Sequence, residues 1–165
     1  MSKRKPTFTM TVGLPRSGKS TWVLKNKGHA AVVCPDEIRL QIFGHQFHKP
    51  AEDFIWGIAR SMTRMLLAQK FSVILDATSV SCDSRRPWLD MASGLGAGTR
   101  IVFVNTPWKV CIARNRRSGE KKVPEDTIRH MASRLDRPND SEADEIVIVG
   151  EKPAKKAAKS GRRTK

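Results

Sequence analysis

Residues 13–20 have the side-chain types and the spacing of a phosphate-binding loop. They are GLPRSGKS, which matches the pattern G-x-x-x-x-G-K-[ST] and directly follows the apolar run TFTMTV. In such loops the glycines let backbone N–H groups turn toward phosphate oxygens, and the positive end of the next helix attracts the same anion. Lys19 is expected to contact the β- and γ-phosphates, and the Ser20 hydroxyl is expected to coordinate Mg²⁺. The predicted binding residues are Gly13, Pro15, Arg16, Ser17, Gly18, Lys19, Ser20 and Thr21.

This loop predicts a nucleoside triphosphate as the bound donor, and it leaves the acceptor open. ATP is the expected nucleotide, because the chain has no guanine-reading N-K-x-D pattern. The alternative is a glycine turn that carries a lysine by chance, which the strand signal before the motif and the helix signal after it disfavour. Transfer of a phosphoryl group also needs a residue that orients or deprotonates the nucleophile, and positive charge near the moving group.

Asp36, in CPDEIRL, is the candidate base for such a reaction. It follows the second apolar run of the chain, AAVVC, and Arg39 lies one helical turn further on. A carboxylate beside a cation that could hold an anionic substrate suits proton abstraction. The other interpretation is that Asp36 caps the helix and Arg39 faces solvent. The local pattern favours neither.

Asp76 ends a third apolar run, FSVIL, and takes the position of an acid near Mg²⁺ or its water shell. Its alternative is a polar strand terminator. Arg85 and Arg86 follow this run and could meet a substrate backbone or face solvent.

A basic segment, WKVCIARNRRSGEKKV, contains Arg114, Arg116 and Arg117. It could form a mobile lid that closes over the triphosphate and supplies charge to the transferring group. The ordinary alternative is a solvated run of charge.

Strand signals alternate with helix signals along the chain. Strands are predicted at TFTMTV, AAVVC, FSVIL, TRIVFVN and EIVIVG, and helices over residues 19–25, 36–43, 50–69 and 83–95 and after Pro107 and Pro124. This order predicts an α/β P-loop NTPase fold, with a parallel sheet of four to five strands, helices on both faces and a basic lid. Right-handed crossovers would place the strand ends and the ligand at one edge.

The net charge of +15 is spread unevenly over the 165 residues. Three basic residues near the start and a net +6 in the last fifteen residues leave +6 on residues 6–150. We therefore expect a basic N-terminal arm at 1–6, one domain at 7–150 and a disordered basic tail at 151–165. Such arms usually meet polyanions, nucleic acid above all, although a solubilising tail is the simpler alternative.

Three separated cysteines and four histidines show no metal-ligand spacing, and no apolar run has membrane-spanning length. The sequence thus predicts free thiols, no structural metal, no membrane partner and a cytoplasmic location.

Taken in order, these segments resemble the 5′-hydroxyl polynucleotide kinase domain of bacteriophage polynucleotide kinase. The likeness covers residues 7–136 and is carried by GLPRSGKSTW, CPDEIR, ILDATS with the following SRR, and NTPWKVCIARNRRSGEKKVPEDTI. The resemblance implies transfer from ATP–Mg²⁺ to the 5′-hydroxyl end of DNA or RNA, with Asp36 as general base. It also implies that Arg39 contacts the phosphate 3′ of the attacking hydroxyl, and that Asp76 and Thr78 support the acceptor site, Asp76 by pairing with Arg39.

Ser118 stands where the family has a lid arginine before the glycine, so Arg114, Arg116 and Arg117 are the candidates for contact with ATP. The chain also lacks the D-x-D-x-T motif of the 3′-phosphatase domain that accompanies this kinase. Two alternatives remain: a P-loop kinase of a small-molecule or modified-base hydroxyl, and a DNA-binding ATPase without a phosphoryl acceptor.

Overall fold

A computed structural model describes residues 5–44, 49–119 and 122–150 of the chain. Its strands are β1 (Thr7–Val12), β2 (Ala31–Val33), β3 (Val73–Leu75), β4 (Gly98–Asn105) and β5 (Glu145–Gly150). They form one parallel sheet in the order β2-β3-β1-β4-β5, and every pair of neighbours is parallel. The predicted α/β P-loop fold with a parallel sheet is confirmed.

Six α-helices connect and cover these strands within the described residues. They are α1 (Lys19–Asn26), α2 (Pro35–Phe43), α3 (Glu52–Ala68), α4 (Cys82–Gly94), α5 (Trp108–Arg116) and α6 (Glu125–Ser133). A short 3₁₀ turn at Lys49–Ala51 precedes α3. Pro107 and Pro124 stand directly before α5 and α6. Proline is tolerated at the start of a helix, because the backbone N–H that it lacks would have no hydrogen-bond partner within the helix.

The central strands β1 and β4 bury nearly all of their side chains, which shows that both faces of the sheet are covered. The main core packs strand residues such as Phe8 and Leu75 against Ile55 of α3 and Trp88 of α4. A smaller cluster joins Leu14 of the phosphate-binding loop to buried residues of α5 and α6: Cys111, Ile112 and Ile128. The basic segment is therefore anchored to the loop by apolar packing.

The structure describes the predicted boundary between the N-terminal arm and the domain. Pro6 is buried and its carbonyl oxygen accepts a hydrogen bond from the Gly98 N–H, so this residue packs with the folded domain. The first four residues and the predicted tail at 151–165 lie outside the described residues. No helix in the described part of the chain has both the length and the apolar character needed to cross a membrane.

Candidate phosphoryl-transfer site

The phosphate-binding loop leaves β1 and ends in α1, and its glycines adopt backbone angles that other residues rarely take. Gly13 has φ +150° and Gly18 has φ +107°. A Cβ atom added at Gly13 would lie 2.8 Å from the Val104 carbonyl oxygen, so the close approach to β4 excludes a side chain there. The Ser17 Oγ is buried and has no hydrogen-bond partner among the described residues, which leaves a polar atom available beside the loop. The cradle thus fits a phosphate group.

An open cavity of about 670 Å³ lies over this loop, within the range of about 300–1,000 Å³ that small-molecule sites occupy. The loop and the start of α1 supply one side of its wall, with Arg16, Ser17, Gly18, Lys19, Ser20 and Thr21. Thr106, Arg114 and Gly150 close other sides. Gly13 and Pro15 shape the loop and are not among the described residues that line the cavity.

Lys19 is the buried cation of this cavity. Its Nζ donates a 2.8 Å hydrogen bond to the Leu14 carbonyl oxygen. Burial lowers the pKa of Lys19 to about 8, although the negative charges of Asp76 and Asp36 act in the opposite direction. Both carboxylates therefore lie close enough to influence the ammonium. Ser20 is exposed at the first turn of α1, where its hydroxyl can serve as a ligand to Mg²⁺ together with phosphate oxygens.

Asp76 and Thr78 connect the end of β3 to the loop. Asp76 is buried, and its Oδ1 lies 3.4 Å from the Thr11 hydroxyl, which also lies 2.9 Å from the Ala77 carbonyl oxygen. The Thr78 carbonyl oxygen accepts a 3.0 Å hydrogen bond from the Gly13 N–H. Asp76 thus follows β3 at the same edge of the sheet as the phosphate-binding loop, at the strand end where the sequence places an acid.

Asp36 lies in the first turn of α2, and Cys34 rather than Asp36 occupies the capping position. The Asp36 side chain is 71% exposed and pairs with Arg39 one turn further along the helix. Arg39 is only 5% exposed, so the interpretation as a solvated residue is wrong.

Glu52, the first residue of α3, is the main partner of Arg39. The Arg39 Nε and Nη2 donate to the two Glu52 carboxylate oxygens at 2.6 and 2.7 Å. Burial acts against the charged guanidinium, but the hydrogen bonds to Glu52 and the charge of Asp36 outweigh it and raise the pKa of Arg39. The expected pairing of Asp76 with Arg39 is therefore not what the structure shows. Sequence analysis missed Glu52, because an acid at the start of a helix is commonplace.

The basic segment forms α5, and its arginines point in different directions. The Arg114 Nη1 donates to the carbonyl oxygens of Arg16 at 3.3 Å and Ser17 at 3.1 Å, and Arg114 lines the cavity. Arg116 instead pairs with Glu125 of α6 through Nε and Nη2. Arg117 follows the helix and is exposed. The structure thus brings Arg114, and not Arg116, to the loop; residues 120 and 121 of the predicted lid lie outside the described residues.

The structure corrects both expectations for Arg85, which neither meets a substrate backbone nor faces solvent. Arg86 is exposed and is not among the residues that line the cavity over the loop, and its contact with a substrate backbone stays a prediction. Arg85 is fully buried, and its Nε and Nη2 donate to Glu142 at 2.7 and 2.9 Å. Its Nη1 donates to the carbonyl oxygens of Ser79, Val80 and Asp136. With every donor nitrogen engaged, Arg85 fastens the segment before β5 to α4. Arg86 lines a separate cavity of about 230 Å³ together with Glu142.

Comparisons with known proteins identify the family and the fold of the chain. A protein-family model described as an AAA domain matches residues 8–138. An L-seryl-tRNA(Sec) kinase of Methanococcus maripaludis is 26% identical over 134 residues, which cover 76% of this chain and 51% of that protein.

Two solved structures show the same architecture. A chain of the Pnkp1/Rnl/Hen1 RNA repair complex superposes with a TM-score of 0.71 at 25% identity, over 79% of this chain and 44% of that one. A second structure is the APS kinase CysC of Mycobacterium tuberculosis, in complex with AMPPNP and APS. It superposes with a TM-score of 0.61 at 21% identity, over 90% of this chain and 91% of that one. This likeness shows the fold alone. The chain thus spans about half the length of the tRNA kinase and of the repair-complex chain.

Proposed function

The chain belongs to the AAA domain family, and from that premise we propose that it is a P-loop phosphotransferase that phosphorylates the 5′-hydroxyl end of a nucleic acid with ATP. The observation that carries the proposal is the exposed Asp36 carboxylate, which pairs with the buried Arg39 at the start of α2. This helix directly follows β2, so Asp36 lies at the same end of the parallel sheet as the phosphate-binding loop after β1. The similarity to a chain of an RNA repair complex supports a nucleic acid acceptor. The net charge of +15 supports it as well.

In this mechanism the loop holds the triphosphate, and the acceptor approaches from the side of Asp36. Asp36 accepts the proton of the 5′-hydroxyl while that oxygen bonds to the γ-phosphorus and the bond to the leaving ADP breaks. Lys19 and Arg114 stabilise the negative charge on the phosphate oxygens. Mg²⁺, when bound, neutralises further charge on those oxygens, and Ser20 is the residue that would hold it.

Asp76 takes a supporting part in this proposal. Its buried carboxylate lies within reach of the Thr11 hydroxyl, at the carboxyl end of β3. That position suits an acid that holds Lys19 in its charged form and orients the water shell of Mg²⁺. Thr78 acts through its backbone, because its carbonyl oxygen fixes the start of the loop.

A second candidate acceptor is a hydroxyl carried elsewhere on an RNA. The identity of 26% with an L-seryl-tRNA(Sec) kinase favours it. It keeps the same ATP site and the same base, and it differs only in the group that Asp36 deprotonates.

Transfer from γ-labelled ATP to a panel of acceptors tests the proposal. The panel contains DNA and RNA oligonucleotides with a 5′-hydroxyl, seryl-tRNA, nucleosides and small polyols. The proposal expects label on the oligonucleotides, and label on seryl-tRNA alone would favour the second candidate. Label on a small molecule alone, or release of free phosphate without a labelled acceptor, would overturn both.

A further inference from the structure

We propose that Glu52 is a positioning residue of the acceptor site, which holds Arg39 so that this arginine orients Asp36, and that Glu52 therefore affects the reaction through Asp36 rather than through the acceptor's phosphate. The inference rests on the proposed function, because it names the residue that prepares the proposed base.

The Arg39 guanidinium donates hydrogen bonds to two carboxylates. Its Nε and Nη2 donate to the two oxygens of Glu52 at 2.6 and 2.7 Å, and its Nη1 donates to the Asp36 Oδ1. A two-point contact between a planar guanidinium and a carboxylate fixes the orientation of the plane as well as its position. All three nitrogen atoms of the guanidinium are therefore directed at carboxylates of the protein.

The side chains of Arg39, Glu52 and Asp36 differ widely in their exposure to solvent. The Arg39 side chain is 6% exposed, that of Glu52 is 22% exposed and that of Asp36 is 71% exposed. The three hydrogen bonds to Glu52 and Asp36 use three of the five N–H donors of the Arg39 guanidinium and hold it between the two carboxylates. Asp36 is accordingly the member of the group that an acceptor hydroxyl meets, and the other two residues support it from behind.

Glu52 lies at the start of a helix that is fixed by the hydrophobic core. Glu52 begins α3, which buries Ile55, Ala59 and Leu67 in the domain. The helix α2 is shorter and exposes most of one side, including Leu40 and Ile42. The ion pair thus ties the segment that carries the base to a helix fixed by the core. A residue held in this way keeps its reactive group in place, which raises the rate of reaction.

The competing explanation is that the Arg39–Glu52 pair only fastens α2 to α3. Removal of a purely structural pair lowers the stability of the protein, but the molecules that remain folded keep the kcat and KM of the wild type. An arginine that binds the acceptor's phosphate gives a third pattern, because release from Glu52 would improve its contact with that phosphate. These three roles predict different kinetics.

The experiment compares Glu52→Gln with Asp53→Asn in the full chain. Asp53 is the next residue, is exposed, and shares the first turn of α3, so its variant removes the same charge from the same place without touching Arg39. For Glu52→Gln we expect kcat to fall by about tenfold, with KM for ATP within about twofold of the wild type. The loss should be equal for an oligonucleotide and for a short acceptor that lacks the phosphate 3′ of the reacting end. Asp53→Asn should behave as wild type.

An outcome of another kind would overturn the proposal. A lower KM for phosphate-bearing acceptors in Glu52→Gln would make Arg39 a phosphate contact, and an unchanged kcat would make Glu52 a structural residue. Failure of Glu52→Gln to fold, while Asp53→Asn folds, would also assign a structural role.

A spectroscopic measurement separates this inference from the proposed function. In protein labelled with ¹⁵N-arginine, the Arg39 Nε–H should give a signal that exchanges slowly with solvent, because Glu52 accepts its hydrogen bond. Glu52→Gln replaces the charged acceptor by a neutral amide oxygen, so the signal should exchange with solvent markedly faster there and stay unchanged in Asp53→Asn. An unchanged exchange rate in Glu52→Gln would contradict the proposal. This measurement needs no acceptor, so it stands even if no 5′-hydroxyl oligonucleotide is labelled.

Discussion

The donor side and the acceptor side of the site are built in different ways. The phosphate-binding loop is shaped by backbone angles, by the close approach of Gly13 to β4 and by the carbonyl contacts of Lys19 and Arg114. The acceptor side depends on ion pairs between side chains of α2 and α3. A contiguous motif therefore supplies the backbone of the donor side, to which α5 adds Arg114, whereas side-chain ion pairs within α2 and between α2 and α3 define the acceptor side. The following changes test whether the two sides act separately, beginning with the largest expected effect.

Replacing Asp36 by Asn should damage the acceptor side alone. The change removes the proton acceptor but keeps the size of the side chain, so kcat should fall by about 10²–10⁴-fold. The Kd for ATP, measured by calorimetry, should stay within about twofold of the wild type, because the loop is unchanged. Glu37→Gln, one residue further along the same exposed turn, is the control. A parallel loss of ATP binding would mean that the two sides are not separable.

Replacing Arg85 by Met should affect stability and leave the chemistry of the folded protein intact. The change leaves Glu142 buried without its partner, and breaking a buried ion pair in this way costs about 3–5 kcal/mol. Urea unfolding should show this loss, and Arg86→Met should change stability by less than about 0.5 kcal/mol. A loss of kcat without a loss of stability in Arg85→Met would show that Arg85 acts on the acceptor instead of stabilising the fold.

Among the lid arginines, Arg114 should matter more than Arg116. Arg114→Met removes a cation from the cavity wall and two contacts to loop carbonyl oxygens, so KM for ATP should rise by about tenfold. Arg116→Met breaks only a solvent-screened pair with Glu125 and leaves the cavity wall intact, so KM for ATP should stay within about twofold of the wild type. Equal effects of the two substitutions on KM would contradict the assignment of Arg114.

The smallest effect concerns pH and the donor side. The pKa of Lys19 is lowered to about 8 by burial, so the free protein loses this positive charge as the pH rises through that value. ATP binding should therefore weaken by up to about tenfold between about pH 7 and about pH 9, because the charged form is the one that binds. Lys19→Arg keeps its charge over this range and should show a flat dependence. A flat dependence in the wild type would contradict the lowered pKa.

The same contrast explains what the sequence could and could not predict. The loop, its lysine and the α/β order follow from local patterns, and Asp36 and Arg39 share a helical turn. Arg85 and Arg86 are adjacent, so only the phase of α4 decides which one is buried, and the partner Glu142 is 57 residues away. Glu52 lies 13 residues from Arg39 and meets it only because α2 and α3 pack together. Pairings of this kind depend on the fold, and no local pattern encodes them.

The most direct test of the proposed reaction is a paired transfer measurement in one tube. Two oligonucleotides share the same 5′ sequence and differ only in a short 3′ extension, so that their lengths distinguish them. One carries a 5′-hydroxyl and the other a 5′-phosphate, and both compete for γ-labelled ATP. We predict label on the 5′-hydroxyl strand alone, recovered as a 5′-phosphate after digestion to nucleotides. Label on both strands, or free phosphate without a labelled strand, would contradict the proposal.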